Sequence, residues 1–238
     1  MRLQFIACKV MQKEAYLCAA RSSNVIDIVF MKQGLHNEPD NLRAEVQKAL
    51  DVTCDSNGRQ YDATLLGYGL CSNGIVGLTS KIPLVVPRGH DCITLLLGSR
   101  EKYQDYFDTH PGVYWYSPGW IDTDALPSKQ RYEKLLEEYE KKFGPENARY
   151  LIETEHNWIE KYNYATYIDW GFPEAKKEKK FTRQCAEHLG LKYDEVKGSA
   201  SLLQRLFDGD WDSDDFLVVE PGKTIAEDIG NPGIIREQ

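Results

Sequence analysis

The sequence predicts an α/β protein built on a mostly parallel, doubly wound (Rossmann-like) sheet, and two observations carry that expectation. Short apolar runs alternate with stretches of helical periodicity through the first hundred residues. Strands joined by helical crossovers pair in parallel and are covered on both faces, so they read as apolar runs. The chain also has 238 residues with 42% hydrophobic content, enough to bury a core without disulfide staples.

Leu3–Cys8 (LQFIAC) is the first apolar run, and a helical stretch around Gln12–Arg21 follows. Val25–Phe30 (VIDIVF) is β-branched and reads as the second strand. After Gly34-Leu35-His36-Asn37-Glu38-Pro39, the segment Asp40–Leu50 places Leu42, Val46 and Leu50 on one helical face, with Asn37 or Asp40 available as its cap. Ala63–Tyr68 (ATLLGY) is the third strand and Ile82–Val86 (IPLVV) the fourth. The glycine-rich Ser72–Leu78 between them predicts a short crossover of one or two helical turns, and Thr94–Phe107 predicts one continuous helix. Right-handed crossovers make 2-1-3-4 the expected strand order.

Beyond Pro111 the texture changes. Val113–Trp120 (VYWYSPGW) is aromatic and extended, Ser128–Phe143 is a charged helix closed by Gly144-Pro145, and Glu146–Asn163 is a second helix. Ala165–Gly171, Tyr193–Gly198 and Phe216–Gly222 are candidate strands, with helices at Glu174–Leu189 and Ser199–Phe207. The expected division is an N-terminal α/β lobe over 1–111 and a C-terminal α/β lobe over 112–238 carrying a helical insertion. The two lobes are expected to face each other across a cleft, with the tail after Ile229 a loosely packed arm.

Composition excludes several function classes. The net charge is −8, which disfavours a broad nucleic-acid face, since phosphate neutralisation needs clustered Lys and Arg. The basic run Lys176–Lys180 is interrupted by Glu178 and reads as a solvated helix face. No apolar segment approaches the ~20 residues of a membrane helix, and the N-terminus lacks a signal peptide's long apolar region. A cytoplasmic protein is expected. There six cysteines remain thiols or metal ligands rather than disulfides.

Cys8 ends strand one, Cys71 follows strand three and Cys92 lies shortly after strand four, while His36 follows strand two in the equivalent place. In an open parallel sheet these ends share one edge, and ligands bind where the strand order reverses. Neighbouring strands are ~4.8 Å apart, so thiolates on adjacent ends can reach one metal at ~2.3 Å. Gly67, Gly69 and Gly74 around Cys71, with Pro87 and Gly89 before Cys92, suit close backbone approach. A helix starting near Ser72 or Cys92 would lower the thiol pKa values. Cys18, Cys54 and Cys185 read as ordinary packing residues.

The expected ligand set is Cys8, Cys71 and Cys92, with His90 or solvent at a fourth, open position. Three protein ligands plus an exchangeable one suits catalytic zinc; a [4Fe–4S] cluster on three cysteines is equally compatible. Soft thiolates exclude magnesium and calcium. Arg88 is a candidate for orienting an anionic group and His90 for a general base. His36, Tyr68 and Gly69 are candidate cofactor contacts, and Tyr103, Trp115, Trp120 and Trp170 could line a cleft. Gly67-Tyr68-Gly69-Leu70-Cys71-Ser72-Asn73-Gly74 matches neither the dinucleotide nor the P-loop pattern, and no G-x-S-x-G elbow is present.

The segments Gly34–Pro39, Tyr68–Gly74, Val86–Cys92 and Leu97-Gly98-Ser99 together resemble an uncharacterised domain-of-unknown-function family of anaerobic microbes. Its members are often encoded beside corrinoid-dependent methyltransferases. The resemblance covers residues 1–120 closely and the remainder loosely, and it implies a metabolic context rather than a mechanism. His90-Asp91-Cys92 is also similar to the H-x-C pair of zinc enzymes that pass a methyl group from a corrinoid to a thiol. Those enzymes are barrels with the further cysteine downstream, whereas Cys8 and Cys71 lie upstream. The resemblance favours zinc over iron–sulfur.

The expected function is a thiolate-ligated metal site that binds or activates a small thiol or methylated substrate. The alternative is a corrinoid or metal accessory protein for a methyltransferase, with His36 or His90 on cobalt.

Overall fold

The structure is a computed structural model and describes residues 1–123, 126–228 and 234–238. The larger sheet is built from β1 (Arg2–Cys8), β2 (Val25–Met31), β3 (Ala63–Gly67), β4 (Leu84–Pro87) and β8 (Phe216–Val219). Its order is β2-β1-β3-β4-β8. The four N-terminal strands pair in parallel in the expected 2-1-3-4 arrangement, and β8 closes the far edge antiparallel to β4. Burial follows position. Every residue of β3 and β4 is buried and so is most of β1, whereas β2, at the edge, is half-exposed.

Two buried polar side chains of the sheet, Gln4 and Thr64, satisfy each other. The Thr64 hydroxyl donates to the side-chain oxygen of Gln4 at 3.1 Å, and the Gln4 amide donates to the Ala49 carbonyl at 3.3 Å. Phe5 meets Phe207 edge to face, 4.6 Å between ring centres.

Helices α1 (Gln12–Arg21) and α2 (Pro39–Leu50) connect the first three strands. In α2 Leu42, Val46 and Leu50 are buried as the periodicity demands, and Pro39 sits in the first turn, where its missing N–H costs nothing. Neither Asn37 nor Asp40 caps the helix, because Glu38 takes the cap position without a side-chain bond.

Two expectations after β3 and β4 are corrected. The crossover at residues 71–77 is a series of turns and opens left-handed, with φ of 46°, 56° and 64° at Cys71, Ser72 and Asn73. Thr94–Phe107 is two helices, α3 (Cys92–Leu97) and α4 (Arg100–Thr109). Gly98 stops α3 at φ 78°, and the Ser99 hydroxyl accepts from the Lys102 N–H at 3.0 Å to begin α4.

The remaining elements are β5 (Val113–Tyr116), α5 (Pro118–Ile121), α6 (Lys129–Phe143), α7 (Pro145–His156), β6 (Tyr164–Asp169), α8 (Ala175–Leu189), β7 (Lys192–Lys197), α9 (Ser201–Asp208), β9 (Ile225–Glu227) and β10 (Ile235–Glu237). The chain divides into two compact units, Met1–Tyr103 with Ser199–Gln238, and Gln104–Gly198. The second unit is therefore inserted into the first, in place of the expected single cut after residue 111. The reason lies in β8, whose Val219, Val218, Leu217 and Phe216 pair with Leu84, Val85, Val86 and Pro87.

The inserted unit has its own parallel sheet in the order β5-β6-β7. Tyr116, Leu126, Ala165, Tyr167, Cys185 and Ala186 form its core. There the Tyr167 hydroxyl donates to the Glu178 carboxylate at 2.6 Å, both side chains being buried.

At the chain end β10 pairs antiparallel with β9 and Ile235 is fully buried. The loose arm expected after Ile229 lies, for residues 229–233, outside the described residues; from 235 to 237 the chain is a strand. Among the described residues no helix is long and apolar enough to cross a membrane.

Candidate functional site

The carboxyl ends of β1 and β3 flank the point where strand order reverses, the place where open α/β sheets bind ligands. Ala7 and Gly67 are the last registered pair; one residue on, Cys8 ends β1, still paired with Met31 of β2, and Tyr68 is the first residue after β3. The pairing is close because position 67 is glycine. A side-chain carbon there would overlap the Phe5 ring and the Ala7 methyl group.

Past the strands the β3 and β4 loops run against each other. The Leu70 N–H donates to the Gly89 carbonyl at 2.8 Å and the Cys71 N–H to the His90 carbonyl at 2.9 Å. Gly69 permits this approach: a Cβ at that position would lie 2.6 Å from the Asp91 nitrogen and 2.6 Å from the Gly89 oxygen. These backbone bonds carry Cys71 to the start of α3, whose first residue is Cys92.

The result is a desolvated cluster of thiols around a phenol. Cys8 and Cys71 are buried and Cys92 is half-buried. The Tyr68 side chain is 3% exposed, and its hydroxyl has no hydrogen-bond partner among the described residues. Burial pushes the Tyr68 phenol upward, and the charges of Cys8, Cys71 and Cys92 push it further the same way. The charges of all three thiols thus act on this one buried hydroxyl.

Each thiol is itself raised. Burial takes Cys71 to about 12, with Asp91 adding to the shift and the amides of Gly69 and Cys92 opposing it. Burial also raises Cys8, against the amides of Val10 and Lys9. Cys92 rises well above the usual thiol range through burial and then through Cys71, Asp91 and Cys8. The expectation of thiols acidified by helix N–H groups is therefore reversed. The amides at the start of α3 are present and act in the expected direction, but desolvation of the thiolate is the larger effect.

Asp91 is the member of the cluster that the sequence reading passed over. One oxygen accepts from the Ile93 N–H at 2.9 Å, capping α3, and the other accepts from the Tyr103 hydroxyl at 3.0 Å. Burial raises its carboxyl despite these bonds. The available signal was its position, an Asp directly before the apolar run Cys92–Leu97. Tyr103 had no comparable signal, since its reach to Asp91 depends on the break at Gly98.

The other candidate residues are placed as follows. His36 is half-buried; burial lowers its pKa and the Asp91 carboxylate opposes that shift. The His90 side chain is exposed, and its charge works against the rise at Asp91. Arg88 sends Nε to the Ser213 carbonyl at 2.9 Å and Nη1 to the Ile235 carbonyl, so these two donor groups bind backbone of the chain's last segments. Cys18 and Cys185 are buried in α1 and α8, and Cys54 lies at an isolated bridge to Gln60. Among the described residues no three His, Cys, Asp or Glu side chains close into a set that could hold a metal ion as they stand.

A family model described as a protein of unknown function (DUF1638) matches residues 30–207. The chain belongs to the DUF1638 family. The match takes in Tyr68, Cys71, Asp91 and Cys92, while Cys8 lies ahead of it. No curated protein and no solved structure matches the chain, so for this DUF1638 member the chemistry has to be argued from the side chains themselves.

Proposed function

We propose that this DUF1638 protein binds one soft metal ion, zinc before an iron–sulfur cluster, through Cys8, Cys71 and Cys92. A fourth position is left for His90, solvent or substrate. The observation that carries the reading is the Tyr68 hydroxyl, a buried donor without a partner on which the charges of three thiols act. An unmade hydrogen bond of this kind costs ~1–3 kcal/mol. Thiols are weak acceptors, whereas metal-bound thiolates are strong ones, so the loss of the thiol protons to a metal would give the phenol its acceptor.

The charge balance agrees. After burial, Asp91 and Cys8 push the Cys71 thiol up, and Cys71, Asp91 and Cys8 push Cys92 up; acidic groups acting together on two thiols suit a cation better than an anionic metabolite. With their pKa values raised by burial, the three thiols hold their protons at neutral pH. Cys8, Cys71 and Cys92 would hold the ion as thiolates, giving up their protons to bulk water as it binds. Zinc there would keep a thiolate nucleophilic at neutral pH. The chain's own part is to exclude water, to hold Cys92 at the start of α3 through Asp91, and to donate from Tyr68.

A small thiol or a methylated compound of corrinoid-linked methyl metabolism is the substrate class that this site and the family resemblance favour. A corrinoid protein or methyltransferase would then be the partner.

Elemental analysis and a visible spectrum of anaerobically purified protein test the reading. Zinc near one per chain without visible absorbance supports it. Iron with sulfide and broad absorbance replaces zinc by a cluster on the same thiols. Protein that neither carries nor takes up a thiophilic metal overturns it.

A further inference from the structure

The turn that presents Cys71 is strained, and a residue distant in sequence holds it. Cys71, Ser72 and Asn73 are consecutive, none is glycine, and all three are left-handed. That conformation is unfavourable for an L-residue other than glycine. Strain of this kind persists only where its surroundings over-determine it. A relaxed, right-handed turn would carry the Cys71 thiol away from Tyr68.

The restraint comes chiefly from α2. Arg43 donates from Nε to the Val76 carbonyl at 2.6 Å and from Nη2 to the Asn73 carbonyl at 3.1 Å. One planar guanidinium thus grips two carbonyls of the same turn, a grip a lysine could not reproduce. Its third contact, Nη1 to Asp40 at 2.8 Å, steadies the fork on the helix. On the buried face of the same helix, Leu42, Val46 and Leu50 are anchored in the core. Leu42 also packs where a Gly74 side chain would stand, at 2.5 Å. On the other side of the turn the Asn73 amide donates to Glu227 at 3.3 Å, and the Gly77 N–H donates to the Ile225 carbonyl at 2.8 Å.

We propose that Arg43 is a positioning residue of the cysteine site: its fork locks the left-handed turn Cys71–Asn73 and so fixes the Cys71 thiol beside Tyr68, Cys8 and Cys92. In its effect on metal uptake the inference rests on the reading of that site as a metal site. Its effect on the Cys71 thiol does not.

The test uses the full-length chain with Arg43→Met, which keeps the apolar stem and removes the donors, alone and combined with Ser72→Gly. Ser72 is exposed, and glycine adopts the left-handed conformation freely. Two quantities are read: Cd2+ affinity by chelator competition, and alkylation of Cys71 relative to Cys18 by iodoacetamide in metal-free protein. Arg43→Met is expected to weaken Cd2+ binding about tenfold or more, the scale of supporting-shell losses, and to speed Cys71 alkylation selectively. Adding Ser72→Gly is expected to recover part of both, because the aimed turn no longer needs the full restraint.

A merely stabilising Arg43 would lower the unfolding midpoint and leave both site readouts and the rescue flat, which overturns the proposal. Should the wild type take up no Cd2+, the metal reading falls, and the alkylation comparison alone decides the clamp. If Arg43→Met does not fold, Arg43→Lys is measured in its place. It is expected to show the same selective change at Cys71 to a smaller degree, and unchanged values overturn the proposal.

Discussion

The Cys71 amide donates to the His90 carbonyl at 2.9 Å, and through that bond the loops after β3 and β4 become a single structure. One loop supplies Tyr68 and Cys71, the other Asp91 and Cys92. Gly69 lies at the crossing, with the Asp91 nitrogen and Gly89 oxygen where a side chain would be. The chemistry proposed for the site depends on this crossing as much as on the thiols.

Gly69→Ala should therefore separate the loops. The added methyl meets backbone on two sides and no flexible side chain can yield. A loss of ~1–3 kcal/mol, the range of overpacking, is expected in chemical unfolding, together with faster alkylation of Cys71. A variant as stable as the wild type, with Cys71 equally protected, would mean that the crossing is looser than described.

Tyr68→Phe should behave unusually for a buried tyrosine. No hydrogen bond is lost in the metal-free protein, and the desolvated hydroxyl is removed. Unfolding with a chelator present should show unchanged or higher stability, by up to ~1 kcal/mol. With Cd2+ present the variant should bind more weakly than the wild type. A clear destabilisation of the metal-free variant would show that the hydroxyl has a partner after all.

Alkaline pH should erode the stability of the metal-free protein. Burial raises the thiols of Cys71 and Cys18 to about 12 and Cys185 to about 11, above the ~8.5 of an unfolded thiol. The folded state therefore retains protons that the unfolded state releases. The contribution is complete below the unfolded value and is lost as pH climbs toward the folded values. Urea midpoints should be flat up to about pH 8 and fall beyond it. A rise across that window contradicts the assignment.

The inserted unit offers a control with the opposite sign. Lys179 contacts Asp169 at 2.7 Å and Glu195 at 2.6 Å. Burial would raise Asp169, but the bonds from Lys179 and the Gly171 amide outweigh it, and Lys179 and Tyr193 likewise lower Glu195. Depressed carboxyls stabilise above their unfolded pKa, and that contribution is lost as pH falls through the folded one. Lys179→Met should cost ~1 kcal/mol at neutral pH, allowing for solvent screening. The cost should shrink as pH falls below about 4, and Cd2+ uptake should be unchanged. A cost that persists in acid would assign the effect to packing of the lysine stem.

The order β2-β1-β3-β4 was legible in the sequence because apolar strands joined by helices admit few right-handed arrangements. That Cys8 ends β1, Cys71 follows β3 and Cys92 follows β4 was legible because the apolar runs locate the strand ends. The insertion was hidden, since FLVV at 216–219 reads as a buried strand whichever sheet it joins. The left-handed turn was hidden as well: Cys71, Ser72 and Asn73 lack the glycine that advertises positive φ, and their restraint comes from Arg43, 28 residues before Cys71. The thiol pKa values were misjudged because periodicity locates a helix start but not the depth of burial around it.

The most direct measurement is a titration of the reduced, metal-free protein with Cd2+, followed by thiolate-to-metal charge-transfer absorbance in the wild type and in six single Cys→Ser variants. A transition ending near one equivalent is expected in the wild type, strongly diminished in Cys8→Ser, Cys71→Ser and Cys92→Ser and intact in the variants of Cys18, Cys54 and Cys185. No charge-transfer band in the wild type, or the same band in all six variants, would contradict a metal site at the ends of β1, β3 and β4.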